Sequence, residues 1–339
     1  MKYIFLVTLF FLFSCEGENK QSSFIEKDYQ NNTKQRDFVG LEVVNKLDLN
    51  KLDLFYVLRM EEQEENLFFL NGDKLEIFIL NKQNLNLSGA KKIMFIKGRG
   101  PGELQSITDY DVHNNEIFIS DRQQGKISIY NFDGILKEEF SLPEIIADRI
   151  QVIDNKRILT FSLKTGNYVF NILNREGDIL DSFIETQPDL HYLMYSGDIY
   201  YNTDDIYFVG YSEPIIKKYN LQTKNLIYSI DVINSYSTED NYVKNELGGF
   251  SSSSYSPAAL YSSLGYTIYN DQLYMTRHHN GNVEGKYLDV YNSVTGEYIF
   301  SYELEHFPSG SGIIVDENHI YSLEKSHGNK RWLVIYNIE

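Results

Sequence analysis

The chain is 339 residues long and carries 31 Lys and Arg against 48 Asp and Glu, a formal charge of −17. Such an acidic surface argues against a nucleic-acid partner, because phosphates would be repelled instead of neutralised. With 27 Tyr, 21 Phe and only 6 Pro, the composition favours strands over helices or disorder, and no long stretch carries a helical period.

Met1 to Phe13 is one positive charge followed by an unbroken apolar run. About a dozen residues fall short of the roughly 20 that span a bilayer and match the apolar region of a secretory leader. The run ends in Leu12-Phe13-Ser14-Cys15, which resembles the bacterial lipobox, with Phe13 bulkier than the residue usual at its place. The resemblance implies that the Cys15 thiol is diacylated and that cleavage frees its amine for a third chain. Cys15 is the only cysteine, and an unpaired cysteine in an exported chain needs such an explanation. Residues 1–15 are read as leader and lipidated cysteine. Residues 16–37 are polar, too poor in apolar side chains to order themselves, and form a tether of at most about 70 Å. Glu16 and Glu18, just after the cysteine, resemble the sorting signal of surface-exposed lipoproteins. The expected location is the cell envelope, as an outer-membrane lipoprotein on its periplasmic or outer side, held by lipid alone.

Residues 38–339 repeat one unit. Phe38–Val44 is a strand with no unit of its own. Then an apolar strand ends in asparagine six times, at Asn81, Asn131, Asn174, Asn220, Asn292 and Asn337, mostly 43 to 50 residues apart with one longer gap. An asparagine there accepts hydrogen bonds from the backbone just ahead of it, and a following glycine supplies positive φ, so each pair makes a hairpin turn. Each copy is preceded by another apolar strand, such as Ile117-Phe118-Ile119, and most of these by an Asn/Asp-rich turn and a further strand. Four antiparallel strands in about 45 residues make a propeller blade. The sixth copy lacks its last strand, and Phe38–Val44 is expected to supply it, closing the ring and covering an open edge. The fold class is therefore all-β, a six-bladed β-propeller of four-stranded blades closed by an N-terminal strand.

Gly98-Arg99-Gly100-Pro101-Gly102-Glu103, placed before the second blade of a lipobox chain, resembles the six-bladed β-propeller lipoproteins related to the NHL and TolB-like propellers. That resemblance implies a propeller in the envelope and brings no agreed catalytic mechanism.

In a four-stranded meander the loops between strands one and two and between three and four share one end. The two-to-three loops and the blade crossings share the other. The first set is short and repetitive, the second varied, and scaffolds carry function on varied loops. The candidate ligand rim is therefore Arg99, Glu103, Arg122, His191, Arg277, His278, His279 and His327. Arg99, Arg122, Arg277, His278 and His327 are expected at one end, a cationic rim for an acidic glycan or carboxylate-bearing peptide. Seven scattered histidines show no His-Glu-x-x-His spacing, no Gly-x-Ser-x-Gly elbow occurs, and no Gly-Lys-Ser/Thr follows the glycine segment. No metal site, cofactor or catalytic residue is predicted. The expected role is a binding or scaffolding module for a glycan, peptide or protein. The alternative is a propeller hydrolase or lyase whose acid, base or metal ligands gather from several blades at the channel mouth, where calcium is the fitting ion.

Overall fold

The structure is a computed structural model that describes residues 35–54, 57–71, 74–164, 167–186, 197–210, 215–233, 242–247, 250–255, 265–278, 286–326, 328 and 330–338. Cys15, His191, His279 and His327 lie outside the described residues. The described part contains no α-helix, and no helix in it is long and apolar enough to cross a membrane.

Two N-terminal strands, β1 (Phe38–Val39) and β2 (Glu42–Asp48), come first. Blade I follows with Val57–Gln63, Asn66–Asn71, Glu76–Asn81 and Lys91–Met94, and blade II with Asp109–His113, Glu116–Asp121, Lys126–Asn131 and Leu136–Ser141. Blade III is Arg149–Val152, Ile158–Lys164, Asn167–Leu173 and Ile179–Thr186; blade IV is Gly197–Asn202, Asp205–Gly210, Ile215–Asn220 and Leu226–Asp231. Blade V is Gly265–Tyr269, Gln272–His278, Lys286–Asn292 and Tyr298–Glu303. Blade VI has only Phe307–Val315, His319–Lys325 and Arg331–Asn337 from the C-terminal part of the chain. Its fourth strand is β2, antiparallel to Arg331–Asn337 with Glu42 opposite Asn337 and Asp48 opposite Trp332.

The predicted N-terminal strand is thus present but divided. Gly40 and Leu41 break it, the closing strand runs on to Asp48, and Phe38 and Val39 add in parallel to the outer edge of blade V, opposite Ser301 and Tyr302. Arg36 already belongs to the packed body. Its guanidinium bonds both oxygens of buried Asp289 at 2.8 and 3.0 Å and lies 4.4 Å over the Tyr287 ring.

The repeats work through their turns. Asn131 Oδ1 accepts from Asp133 N and Ile135 N, Asn174 Oδ1 from Glu176 N and Asp178 N, and Asn292 Oδ1 from Val294 N and Thr295 N. Gly134, Gly177 and Gly296 follow at φ 77°, 89° and 80°, a region that side chains with a Cβ avoid. Where a tyrosine precedes the asparagine, as at Tyr130, Tyr291 and Tyr336, it has its own task. Tyr130 Oη donates to Gly102 O, while Tyr291 Oη accepts from Ile233 N and Tyr336 Oη from Glu305 N, at 2.8 to 3.2 Å. Each pins the crossing that leads into its own blade.

Side chains alternate across each strand, so neighbours serve opposite junctions. Phe68 packs between blades I and II, Phe69 between VI and I. Six apolar clusters result, one in each junction around the ring. Below, the end carrying the Asn turns is the turn end and the opposite one the loop end.

Candidate functional site

The first strand of each blade lines the axis; those of blades II to V have one unpaired edge, while those of blades I and VI pair in parallel with each other at Arg59 and Ser311. In a propeller both faces of that strand are covered by neighbouring blades, so a charged residue on it is buried and must find a partner. Blades I to IV place such residues there. Arg59 Nη1 donates to both oxygens of Asp109 at 2.8 Å and to Asp198 at 3.4 Å, and its Nε bonds Glu61. Arg149 also pairs with Asp198 at 3.4 Å. Asp109 Oδ2 accepts from Ile150 N at 2.8 Å, and Asp111 Oδ2 accepts from Val152 N at 2.5 Å and from Gln151 Nε2 at 2.9 Å. The two aspartates of Asp109-Tyr110-Asp111 therefore satisfy the open edge of the next blade's first strand. A cavity of about 30 Å³ remains beside them, lined by Arg59, Glu61, Asp198, Tyr200, Tyr266 and Thr267 among others.

Four carboxylates face two guanidiniums in this cluster, and its electrostatics follow. Burial drives the Glu61 carboxyl up to about 8, against the opposing pull of Arg59 and with help from Asp111 and Asp109. Burial likewise lifts Asp111 to about 6. Burial works against the charge of Arg59 too, but Asp109, Glu61 and Asp198 outweigh it and hold the guanidinium firmly protonated. Perturbed groups of this kind mark functional sites as well as structural ion networks. Among the described residues no three His, Cys, Asp or Glu side chains gather so as to hold a metal ion.

At the loop end the structure places Arg99, Glu103, Arg122 and the backbone of Arg277 and His278. Arg99 is exposed, and Arg122 Nη1 pairs with Asp148 at 2.7 Å. Glu103 is turned into its own loop, where Oε2 accepts from Gly100 N at 2.8 Å, and Gln124 Nε2 and Lys126 Nζ donate to its carbonyl. The glycine segment is a braced crossing whose Gly100 amide is already engaged. The brace centres on Asp121, fully buried, which accepts from Gln105 N, Ser106 Oγ, Gln123 N, Gln124 N and Gln124 Nε2 at 2.6 to 3.2 Å. Burial opposes its charge, but these donors pull its carboxyl below the usual range.

The loop-end residues were readable as loop positions. The axial cluster was not singled out, although one signal for it exists. Val57-Leu58-Arg59-Met60-Glu61 and Thr108-Asp109-Tyr110-Asp111-Val112 alternate charge with apolar residues at the first-strand position, where neither face meets water.

A family model described as a 6-bladed beta-propeller, DUF5128, matches residues 16–313. The chain belongs to that family. Solved structures similar to this DUF5128 member share the fold at low identity. A protein from Bacteroides fragilis described as exported is 15% identical, with a TM-score of 0.58 over 91% of this chain and 97% of its own. A member of the DUF4221 family from Bacteroides vulgatus is 14% identical, with a TM-score of 0.55 over 90% and 99%. Virginiamycin B lyase from Staphylococcus aureus is 13% identical, with a TM-score of 0.54 over 88% and 100%. No curated protein sequence matches the chain.

Proposed function

We propose that the protein is a lipid-anchored envelope module that binds an anionic ligand, an acidic glycan or a carboxylate-bearing peptide, at the loop end of its propeller. The observation that carries this reading is the Asp121 brace. A buried carboxylate holds the 98–106 crossing and the 121–126 loop in one arrangement, while Arg99 and Arg122 stay exposed beside them. Loops fixed before the ligand arrives lose less entropy on binding. Exposed Arg99, beside Arg122 that is already shared with Asp148, gives a chain of charge −17 a local cationic site that attracts anions against the field of the rest of the surface. The leader ending in Cys15, and the fold shared with the exported Bacteroides fragilis protein, fit an extracytoplasmic place. Lipidation is checked by labelled palmitate, which wild type takes up and Cys15→Ser does not. Binding is checked by titrating the protein on arrays of acidic glycans and peptides. Arg99→Ala/Arg122→Ala is expected to weaken the retained ligand about tenfold or more, about 1.4 kcal/mol or more of binding energy, at an unchanged melting temperature. Equal affinity in the double variant would reject the rim.

A second reading has its own support. Glu61, raised to about 8 beside Asp111 and Asp198, is poised to exchange a proton near neutral pH, as a general acid or base must. Its carboxyl is bonded to Arg59, so chemistry there requires a ligand that displaces that contact.

A further inference from the structure

Two features of the turn end point the same way, and neither takes part in the rim. The first is apolar. Four consecutive blades expose a large aliphatic residue at or just beside the turn that starts their outer strand, Ile135 on blade II, Leu180 on III, Ile227 on IV and Val294 on V, and Val44 does so near the start of the closing strand of blade VI, with 63%, 55%, 45%, 55% and 49% exposure. Single exposed aliphatics are ordinary, but here one recurs near the turn end of the outer strand on five successive blades. The second is directional. The outer strand of blade V runs from the Asn292–Gly296 turn towards the loop end, and β1 lies parallel to it. The chain just before Phe38 therefore arrives from the turn side of that strand, with Asp37 N donating to Tyr298 Oη at 3.1 Å and Arg36 clamped on mid-strand Asp289 and donating to Ile233 O at 3.5 Å. The loop end also exposes Met94, Ile96, Ile146 and Ile184, but these belong to blades I and III and the crossings between them, away from the blade where the anchor segment docks.

We infer that the turn end rests on a lipid surface, with its ring of aliphatics in the headgroup region, so that the loop end points away from the membrane. The inference rests on the lipid anchor proposed above. Twenty residues separate Cys15 from Arg36, a length that as a flexible linker would span roughly 25 Å root-mean-square and so lets the ring touch the surface. Apolar side chains at such a boundary sink about 5–10 Å into it, while a charge of −17 favours zwitterionic over anionic lipid.

The test uses the full lipidated chain in phosphatidylcholine vesicles. Cysteine is introduced one site at a time as Ile135→Cys, Leu180→Cys, Ile227→Cys and, at the exposed loop end, Gln123→Cys, and each is labelled with an environment-sensitive maleimide dye. The three turn-end dyes are expected to shift to the blue and to be quenched about twofold or more by spin-labelled lipid, as for groups held in the interface. The dye at position 123 should behave as in water. Water-like dyes at all three turn-end sites, or quenching strongest at position 123, overturns the inference while leaving the anchor intact. Dye uptake by the chain without an added cysteine would show a free Cys15 thiol and overturn both.

Discussion

Glu61 stays protonated up to about pH 8 because burial penalises its charge, with Asp111 and Asp109 adding to that against the pull of Arg59. A carboxyl raised in the folded state binds its proton more tightly there than in the unfolded chain. Its contribution to stability is therefore complete below about pH 4.5 and is lost as pH rises towards 8. Glu61→Gln removes that loss. The variant is expected to melt close to wild type at pH 5 and to gain progressively towards pH 9, on the order of 2 kcal/mol. Melting curves across that range decide it, and a gap that shrinks with rising pH would reject the assignment. Arg36 poses the opposite case. Arg36→Ala leaves the fully buried Asp289 carboxylate with the Ser301 hydroxyl but without its guanidinium. Breaking a buried pair costs about 3–5 kcal/mol, and Asp289→Asn in the same chain should recover part of it; urea melts of the three variants measure both. Neither residue stood out in the sequence. Arg36 lies in a polar run that reads as tether, and Glu61 sits in an alternation that reads as a half-exposed strand until the ring covers both of its faces.

At the scale of elements the Asn turns were legible because their chemistry is local. An asparagine side chain and a positive-φ glycine a few residues apart need nothing from the rest of the chain, and Asn131 to Gly134 forms as expected. Ring closure was legible by counting strands, since one blade lacked its fourth and one strand lacked a blade. The split of that strand was not, because the two-residue β1 is stabilised by Ser301, Tyr302 and Tyr298, all more than 250 positions away. Deleting residues 1–35 is expected to leave the melting temperature unchanged. Deleting residues 1–45 removes Arg36, β1 and half of β2, and exposes the apolar residues beneath at roughly 1.5–3 kcal/mol each. Set against a usual total of about 5–15 kcal/mol, the longer deletion should melt far lower or fail to fold. Equal melting temperatures would show that β2 does not hold the ring.

Across the whole molecule the six junction clusters leave no blade independent, so the seam inside blade VI, where β2 meets Arg331–Asn337, is where the chain commits to its shape. The strand that seals the seam lies within the first 48 residues, and its partner, Arg331–Asn337, is nearly the last to be made. At about 5–20 residues per second, β2 waits roughly 15–60 s for the strand it needs. During that time the propeller has no closed form available to it. On the export proposed above, that delay has a use: the order of strands in the sequence postpones sealing until the C-terminal strand has been made.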